Sequence, residues 1–241
     1  MAGGTVSAEE VARFDALAGQ WWDPDGPMRP LHAMNPARIA WITERIGRHF
    51  PGHKGLAVLD VGCGAGLAAE ALARRGFDVL GLDAAAAAIE AARAHAEGQG
   101  LALTYRAGRL EDLLQEDRRF PVITALEVIE HVPDPDAFLG VLAALLAPGG
   151  LLFLSTLNRT ARAFLTAKLG AEYVLRLLPA GTHDWRRFVT PAELAAGLRG
   201  VGLRLVDAAG LVPALVGGWR TGRDMSVNYI VCAAAFTSPR D

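Results

Sequence analysis

The chain has 241 residues, 51% of them hydrophobic, with 24 lysine and arginine against 26 aspartate and glutamate side chains and a formal net charge of -2. A chain of this length can bury one sizeable core, so we expect a single domain over residues 1–241. The balanced charge argues against nucleic acid as a partner, because proteins that bind phosphate backbones usually carry a basic excess.

The cysteines and the hydrophobic pattern bear on location. Cys63 and Cys232 show neither paired nor metal-ligand spacing. The N-terminus lacks the pattern of a signal peptide, and no stretch reaches the roughly 18 apolar residues of a membrane span. We therefore expect a cytoplasmic protein, with peripheral contact at the inner face of the membrane as a further expectation.

The first 50 residues have a helical pattern. Ser7, followed three positions later by Glu10, predicts a capping box that opens a first helix. Asn35 and Pro36 predict the N-cap and first turn of a second helix. We interpret residues 1–50 as a helical extension that precedes the main sheet.

From about residue 56, short apolar runs alternate with longer helical patterns, which is typical of βα units. We predict a Rossmann-like, mostly parallel α/β sheet of seven strands, with an insertion at residues 158–187 between the fifth and sixth strands. The predicted strands cover residues 57–61, 78–82, 103–105, 122–126, 151–156, 203–206 and 228–236.

A glycine-rich loop follows the first predicted strand. Gly62, Gly64 and Gly66 give GxGxG spacing, because Leu67 occupies the position where dinucleotide sites carry their third glycine. S-adenosylmethionine has no phosphate and needs such a loop for close backbone approach rather than for phosphate binding. Asp83, about 20 residues downstream at the end of the second strand, is placed to accept the ribose hydroxyls. The alternative is a structural turn without a ligand.

Two further turns fit the same cofactor. Leu110 begins the segment after the third strand, where we expect a loop that contacts adenine. Pro148, Gly149 and Gly150 predict a helix stop and a tight turn into the fifth strand. The glycine loop, Asp83 and this turn resemble class I methyltransferases.

The resemblance becomes narrower over segments that span nearly the whole chain. They are Arg13-Phe14, Trp21 to Asp23, Pro30 to His32, Asn35 to Arg38, Glu127 to Pro135, Ser155 to Arg159, Gly170 to Tyr173 and Gly181 to Asp184. This set resembles ubiquinone biosynthesis O-methyltransferases, which methylate a polyprenylated catechol and later a demethylubiquinol. The resemblance implies cofactor contacts at Arg38, Gly62, Asp83 and Leu126. Leu126 stands where the family often has methionine, so we expect it to act through its backbone.

Glu127, Glu130 and His131 directly follow the fourth predicted strand, at the edge where open α/β sheets bind ligands. A helical turn would let them converge on one divalent ion, and two carboxylates with an imidazole suit Mg²⁺. The resemblance also implies a metal here. A phenol has a pKa near 10, so its oxygen needs a base or a metal to become nucleophilic.

The alternative is that Glu130 and His131 cap the helix and neighbouring loop without a metal. We predict His131 and Glu130 as the catalytic residues, with His131 as the general base if no metal binds. His183 is the second candidate for the base, and a structural role is its alternative.

Within the insertion, Lys168, Glu172 and Arg176 recur every four residues beside an apolar side, which predicts an amphipathic helix. Residues 161–178 are candidates for a lid, for a membrane contact that collects a lipid-tailed substrate, or for ordinary packing on the sheet. The family resemblance favours the lid and the membrane contact.

Trp21 and Trp22 are candidates for the lining of the same entrance, or for the core.

The sequence thus predicts an S-adenosylmethionine-dependent O-methyltransferase that acts on phenolic hydroxyls of prenylated quinone precursors, with a biosynthetic complex as a further partner. Two alternatives remain. One is a methyltransferase for another small phenol or for a ring carbon. The other is a cofactor-bound, non-catalytic scaffold in a quinone-biosynthesis complex.

Overall fold

The structure is a computed structural model that describes residues 5–165, 187–214 and 216–235. Its strands are β1 (Ala57–Val61), β2 (Asp78–Asp83), β3 (Leu103–Ala107), β4 (Phe120–Leu126), β5 (Leu146–Leu157), β6 (Leu203–Pro213), β7 (Trp219–Gly222) and β8 (Asn228–Ala235). Its helices are α1 (Ala8–Leu17), α2 (Arg29–His49), α3 (Leu67–Ala73), α4 (Ala86–Ala96), α5 (Pro135–Leu145) and α6 (Pro191–Gly200). Short 3₁₀ turns lie at Ala18–Gln20, Leu110–Glu116 and Ile129–His131.

The strands form one sheet in the order β3-β2-β1-β4-β5-β8-β6-β7. The pairs among β1 to β5 are parallel, whereas β8 lies antiparallel between β5 and β6. The predicted Rossmann-like, mostly parallel sheet is confirmed, but within the described residues it has eight strands rather than seven. The additional strand β7 has only four residues, Trp-Arg-Thr-Gly, and pairs with β6. It is too short and too polar to produce an apolar run in the sequence.

The strand order reverses between β1 and β4. In open α/β sheets, this switch point leaves a crevice at the carboxyl ends of the strands, where ligands bind.

Alternate residues of the strands build two hydrophobic cores on opposite faces of the sheet. Leu59 of β1 packs with α5 and α6 on one face, and Val58 packs with α2, α3 and α4 on the other. Helices therefore cover both faces, and the carboxyl edge remains for the site.

The N-terminal helices differ in detail from the prediction. Helix α1 begins after Ser7 as predicted, but the Ser7 side chain makes no capping hydrogen bond. Helix α2 begins at Arg29 rather than at Asn35, because Pro30 already occupies its first turn and Pro36 lies inside the helix. Asn35 is buried, and its Nδ2 donates to the carbonyl of Leu67 at 2.7 Å, which ties α2 to α3.

Most of the predicted insertion, including Lys168, Glu172, Arg176 and His183, lies outside the described residues. Residues 161–165 are helical. No helix in the described part of the chain is long and apolar enough to cross a bilayer.

Candidate active site

The glycine loop between β1 and α3 has the backbone conformation that its sequence requires. Gly62, Gly64 and Gly66 have φ values of 65°, 54° and 93°, in the left-handed region where residues with a side chain are strained. A Cβ atom at Gly64 would collide with the Trp21 ring, and one at Gly66 with the Tyr105 hydroxyl. The loop is thus a tight backbone turn that no other residue type would form without displacing its neighbours.

Asp83 ends β2 and lies against this loop. Its Oδ2 accepts from the Gly64 amide and its Oδ1 from the Ala85 amide, each at 2.8 Å. Burial raises the pKa of the Asp83 carboxyl above its usual value, and the two amide hydrogen bonds oppose that rise. The carboxylate therefore stands at the edge of the crevice beside the glycines, as predicted.

Arg38 reaches the same edge from α2. Its side chain is buried, and its Nη1 lies 3.7 Å from Oε1 of Glu127. Its Nε has no hydrogen-bond partner among the described residues. Burial lowers the pKa of Arg38, and Glu127 opposes this. A buried guanidinium with a spare donor fits the carboxylate of a bound amino-acid portion.

Leu126 lies at the end of β4, and Leu110 lies shortly after the end of β3. Leu126 is the last residue of β4 and pairs with Ser155 of β5. Leu110 opens the 3₁₀ turn after β3, and its side chain is buried in the core. Both residues therefore lie where the chain leaves a strand of the parallel part of the sheet.

Sequence reasoning missed Asp60, which lies beneath the glycine loop on β1. It is buried, and its Oδ1 accepts from Oγ1 of Thr124 at 2.6 Å. Its Oδ2 has no hydrogen-bond partner in the described part of the chain. Burial raises the pKa of Asp60 to about 7. The signal in the sequence was an acidic residue within an otherwise apolar strand.

On the acceptor side, Glu127 has a positive φ of 58°, which is uncommon for a residue with a side chain and marks functional sites. Its Oε1 accepts from Oγ of Ser155 at 2.6 Å, and its Oε2 from Nδ2 of Asn228 at 3.0 Å. Arg38, Ser155 and Asn228, which come from three distant parts of the chain, together fix this carboxylate. The prediction did not include Asn228.

Glu130 is buried and accepts from a neutral side chain. Its Oε2 accepts from Oγ1 of Thr156 at 2.9 Å. Burial, and then repulsion from Glu127, raise the pKa of Glu130 to about 8. The carboxyl can therefore hold a proton near neutral pH.

His131 faces the N-terminal helix. Its Nδ1 lies 3.0 Å from Oε2 of Glu10, and its ring meets that of Phe14 edge to face at 5.4 Å between centroids. Burial lowers the pKa of His131, against the opposing effect of Glu10. Glu10, which we assigned to a capping box, is thus a partner of the acceptor-side histidine.

The structure does not bring the three predicted metal ligands together. Among residues 5–165, 187–214 and 216–235, no three His, Cys, Asp or Glu side chains are close enough to hold a metal ion. Glu127 precedes the 3₁₀ turn Ile129–His131 in a left-handed conformation, so the assumed regular helical turn is absent. The metal stays a prediction.

Residues 5–22 run across the carboxyl edge of the sheet, and we call them the N-terminal strap. Thr5 donates through its amide and hydroxyl to Glu111 after β3, at 2.8 and 2.9 Å. Asp15 accepts from the amide of Ala87 after β2 at 2.9 Å. The indole of Trp22 donates to Ala65 in the glycine loop at 2.9 Å. The strap therefore contacts the segments after β1, β2 and β3. Through Glu10, which lies against His131, it also contacts the segment after β4.

The chain is similar to known methyltransferases over most of its length. A family model described as a methyltransferase domain matches residues 29–208. A ubiquinone biosynthesis O-methyltransferase from Azorhizobium caulinodans is 47% identical over 95% of this chain and 94% of its own length. One from Methylobacterium nodulans is 46% identical over 96% of both chains. The chain belongs to the ubiquinone biosynthesis O-methyltransferases.

Among solved structures, magnesium protoporphyrin IX methyltransferase from Synechocystis PCC 6803 with bound SAH is similar, with a TM-score of 0.66 and 20% identity. The alignment covers 94% of this chain and 100% of that chain, so the two share the fold. A ubiquinone biosynthesis O-methyltransferase is an S-adenosylmethionine-dependent methyltransferase, so the predicted enzyme class and cofactor are confirmed. The individual contact residues stay predictions.

Proposed function

We propose that the chain methylates a phenolic hydroxyl of prenylated catechol and demethylubiquinol intermediates. The observation that carries this proposal is the group of Glu127, Glu130 and His131 after β4, the strand next to the glycine loop. Glu130 is buried, and Glu127 and His131 are partly buried. Such groups can accept a phenolic proton beside a methyl donor. The names of the relatives support the same substrate class.

The cofactor side has the simpler role. Bound S-adenosylmethionine supplies an electrophilic methyl group. We propose that Asp83 accepts the ribose hydroxyls, that Arg38 pairs with the amino-acid carboxylate, and that Gly62, Gly64 and Gly66 let the backbone approach the ligand. Leu110 and Leu126 would border the adenine and the methionine portion.

On the acceptor side, we propose that His131 takes the proton from the phenol. Its lowered pKa keeps the imidazole neutral, as a base requires. The carboxylate of Glu10, at 3.0 Å, would stabilise the imidazolium that results. Glu130, with its raised pKa, is the neighbouring group that can exchange a proton near neutral pH.

A divalent metal remains part of the proposal. Glu127, Glu130 and His131 would hold it, and it would lower the pKa of a coordinated phenol. The oxygen and nitrogen donors suit Mg²⁺ or Mn²⁺, but Glu127 and His131 would first have to leave their present partners. Titration with Mn²⁺, followed by electron paramagnetic resonance, tests binding without turnover. Binding that Glu127→Gln abolishes supports the metal, and the absence of binding leaves His131 as an unaided base.

The membrane contact is a separate proposal. Phe164 and Leu165, at the start of the predicted amphipathic segment, are 40% and 56% exposed. We propose that residues 161–178 touch the inner face of the cytoplasmic membrane and also serve as a lid. Flotation with anionic lipid vesicles tests the contact, with Leu165→Glu as the weakened variant.

We also propose that residues 1–241 form one methyltransferase domain, with residues 1–50 as its extension. Both hydrophobic cores pack on the same sheet.

The experiment that tests the function is incubation with labelled donor and a panel of prenylated and unprenylated catechols, with and without chelator. Labelled prenylated catechol is the expected product. Cofactor binding without transfer to any catechol would support the scaffold, and label on a ring carbon would support a carbon methyltransferase.

A further inference from the structure

A cavity adjoins the acceptor side. It measures about 490 Å³, within the range of roughly 300–1,000 Å³ typical of small-molecule sites. It lies between the 3₁₀ turn after β4, α5 and α6. Apolar side chains supply most of its walls, among them Ile129, Val132, Leu139, Phe188 and Leu194.

The charged groups of this cavity are unevenly placed. Glu130 lines it and is 4% exposed. The other charged lining residues stand nearer to solvent, where Arg159 and Glu193 form an ion pair with side-chain exposures of 32% and 49%. The cavity thus has an apolar interior, a charged rim, and one buried carboxyl that belongs to the reaction site.

We propose that this cavity receives the first isoprene units of the acceptor's prenyl tail, an inference that rests on the proposed function. A ring whose hydroxyl lies at Glu130 and His131 has its tail within reach of the cavity that Glu130 also lines. Transfer of hydrocarbon from water to an apolar surface is favourable in proportion to the buried area. A polar ligand would leave the apolar walls unmatched, so the lining favours a hydrocarbon.

Gly197 of α6 is the position from which the cavity can be narrowed. A Cβ atom there would lie 2.7 Å from Cδ1 of Leu139 and 3.4 Å from Oδ1 of Asp136. Gly200, one helical turn further on, offers a matched control, because a Cβ atom there would meet nothing within 4 Å in the described part of the chain. Neither glycine has a positive φ, so a side chain is compatible with both backbones.

The test compares Gly197→Leu with Gly200→Leu on two acceptors in the same detergent, an unprenylated catechol and a catechol with a tail of three isoprene units. We expect Gly197→Leu to lower kcat/KM for the prenylated acceptor by about tenfold relative to the unprenylated one, the scale on which apolar pockets discriminate. Gly200→Leu should leave the ratio unchanged. If Gly197→Leu does not fold, Gly197→Ala replaces it, with a smaller change of the ratio in the same direction.

If Gly197→Leu lowers kcat/KM equally for both acceptors, or leaves the ratio of the two values unchanged, the proposal is overturned and the cavity is a packing defect of the fold. Calorimetry with geraniol separates this outcome from failure of the proposed function, because it needs no turnover. Geraniol binding that Gly197→Leu weakens and Gly200→Leu does not supports the cavity even if wild type methylates no catechol. Absence of geraniol binding to wild type counts against the proposal that the cavity receives a prenyl tail.

Discussion

The cofactor side and the acceptor side of the carboxyl edge are built differently. On the cofactor side, the glycine loop and Asp83 come from two short segments. They are joined by the hydrogen bond from the Gly64 amide to the Asp83 side chain and by those from the Gly62 and Cys63 amides to the Leu82 carbonyl. On the acceptor side, Glu127, Glu130 and His131 are neighbours in sequence, but each is held by a partner from another part of the chain.

This difference determines how each side should respond to substitution. On the cofactor side, the Asp83 carboxylate accepts from the neighbouring amides of Gly64 and Ala85, so its loss should remove ligand contacts and affect the adjoining loops rather than distant side chains. The acceptor side is a network of buried and partly buried polar groups, in which a change of one member affects the others. Substitutions on the two sides should therefore differ in how far their effects spread.

Asp83→Ala should weaken binding of S-adenosylmethionine by at least about 10²-fold, because two hydrogen bonds to a charged group are lost. Calorimetry with the cofactor measures this. Asp78→Ala is the matched control, since Asp78 lies at the exposed start of the same strand. Unchanged affinity in Asp83→Ala would remove Asp83 from the cofactor site.

Glu130→Gln should lower kcat by roughly 10²-fold, the lower end of the range for loss of a proton-transfer group, and change cofactor affinity by less than about twofold. The amide keeps an acceptor for Thr156 but cannot exchange the proton. Steady-state kinetics and calorimetry on the same preparation separate the two effects. A parallel loss of cofactor affinity would mean that the two sides are not independent.

The positions of the glycine loop and of Asp83 were predictable from sequence because they depend on local conformation. Gly62, Gly64 and Gly66 need positive φ, and the end of β2 fixes Asp83, so a motif and one strand boundary suffice. The acceptor side was predictable only as a list of residue types. The ExxEH spacing assumed a regular helical turn, but Glu127 adopts a positive φ.

The partners on the acceptor side come from tertiary structure. Asn228 reaches Glu127 because β8 inserts antiparallel beside β5, which no local pattern shows. Glu10 matches a capping box in the sequence, but in the structure it lies against His131, a contact that no local pattern predicts. The eighth strand was missed for a similar reason, since β7 forms through its pairing with β6 and has no apolar run of its own.

Glu10→Gln should lower kcat/KM by about tenfold or less, because the amide can still accept from His131 but no longer supplies charge to it. Cofactor affinity should stay the same. Glu9→Gln, an exposed neighbour on the same helix, is the control and should have no effect. If Glu10→Gln matches wild type in turnover while Glu130→Gln does not, the strap only covers the site and does not assist His131.

Asp60→Asn should change the way in which Tm depends on pH. The expected difference from wild type is a few degrees, since about 1 kcal/mol shifts Tm by roughly 2–4 °C in a chain of this size. The folded state raises the pKa of Asp60 to about 7 from an ordinary 3.8, so it binds the proton more tightly than the unfolded state does. Stability therefore falls as pH rises from about 4 to 7 and levels off above that. Asparagine removes this contribution but can still accept from Thr124, so Tm of the variant minus Tm of wild type should increase between pH 4.5 and 7.5.

Thermal unfolding of the cofactor-free protein measures this difference in Tm, with Asp78→Asn as the exposed control. Parallel curves for Asp60→Asn and wild type would show that Asp60 is ionised throughout, and that its charge is compensated by Arg38 rather than suppressed by burial.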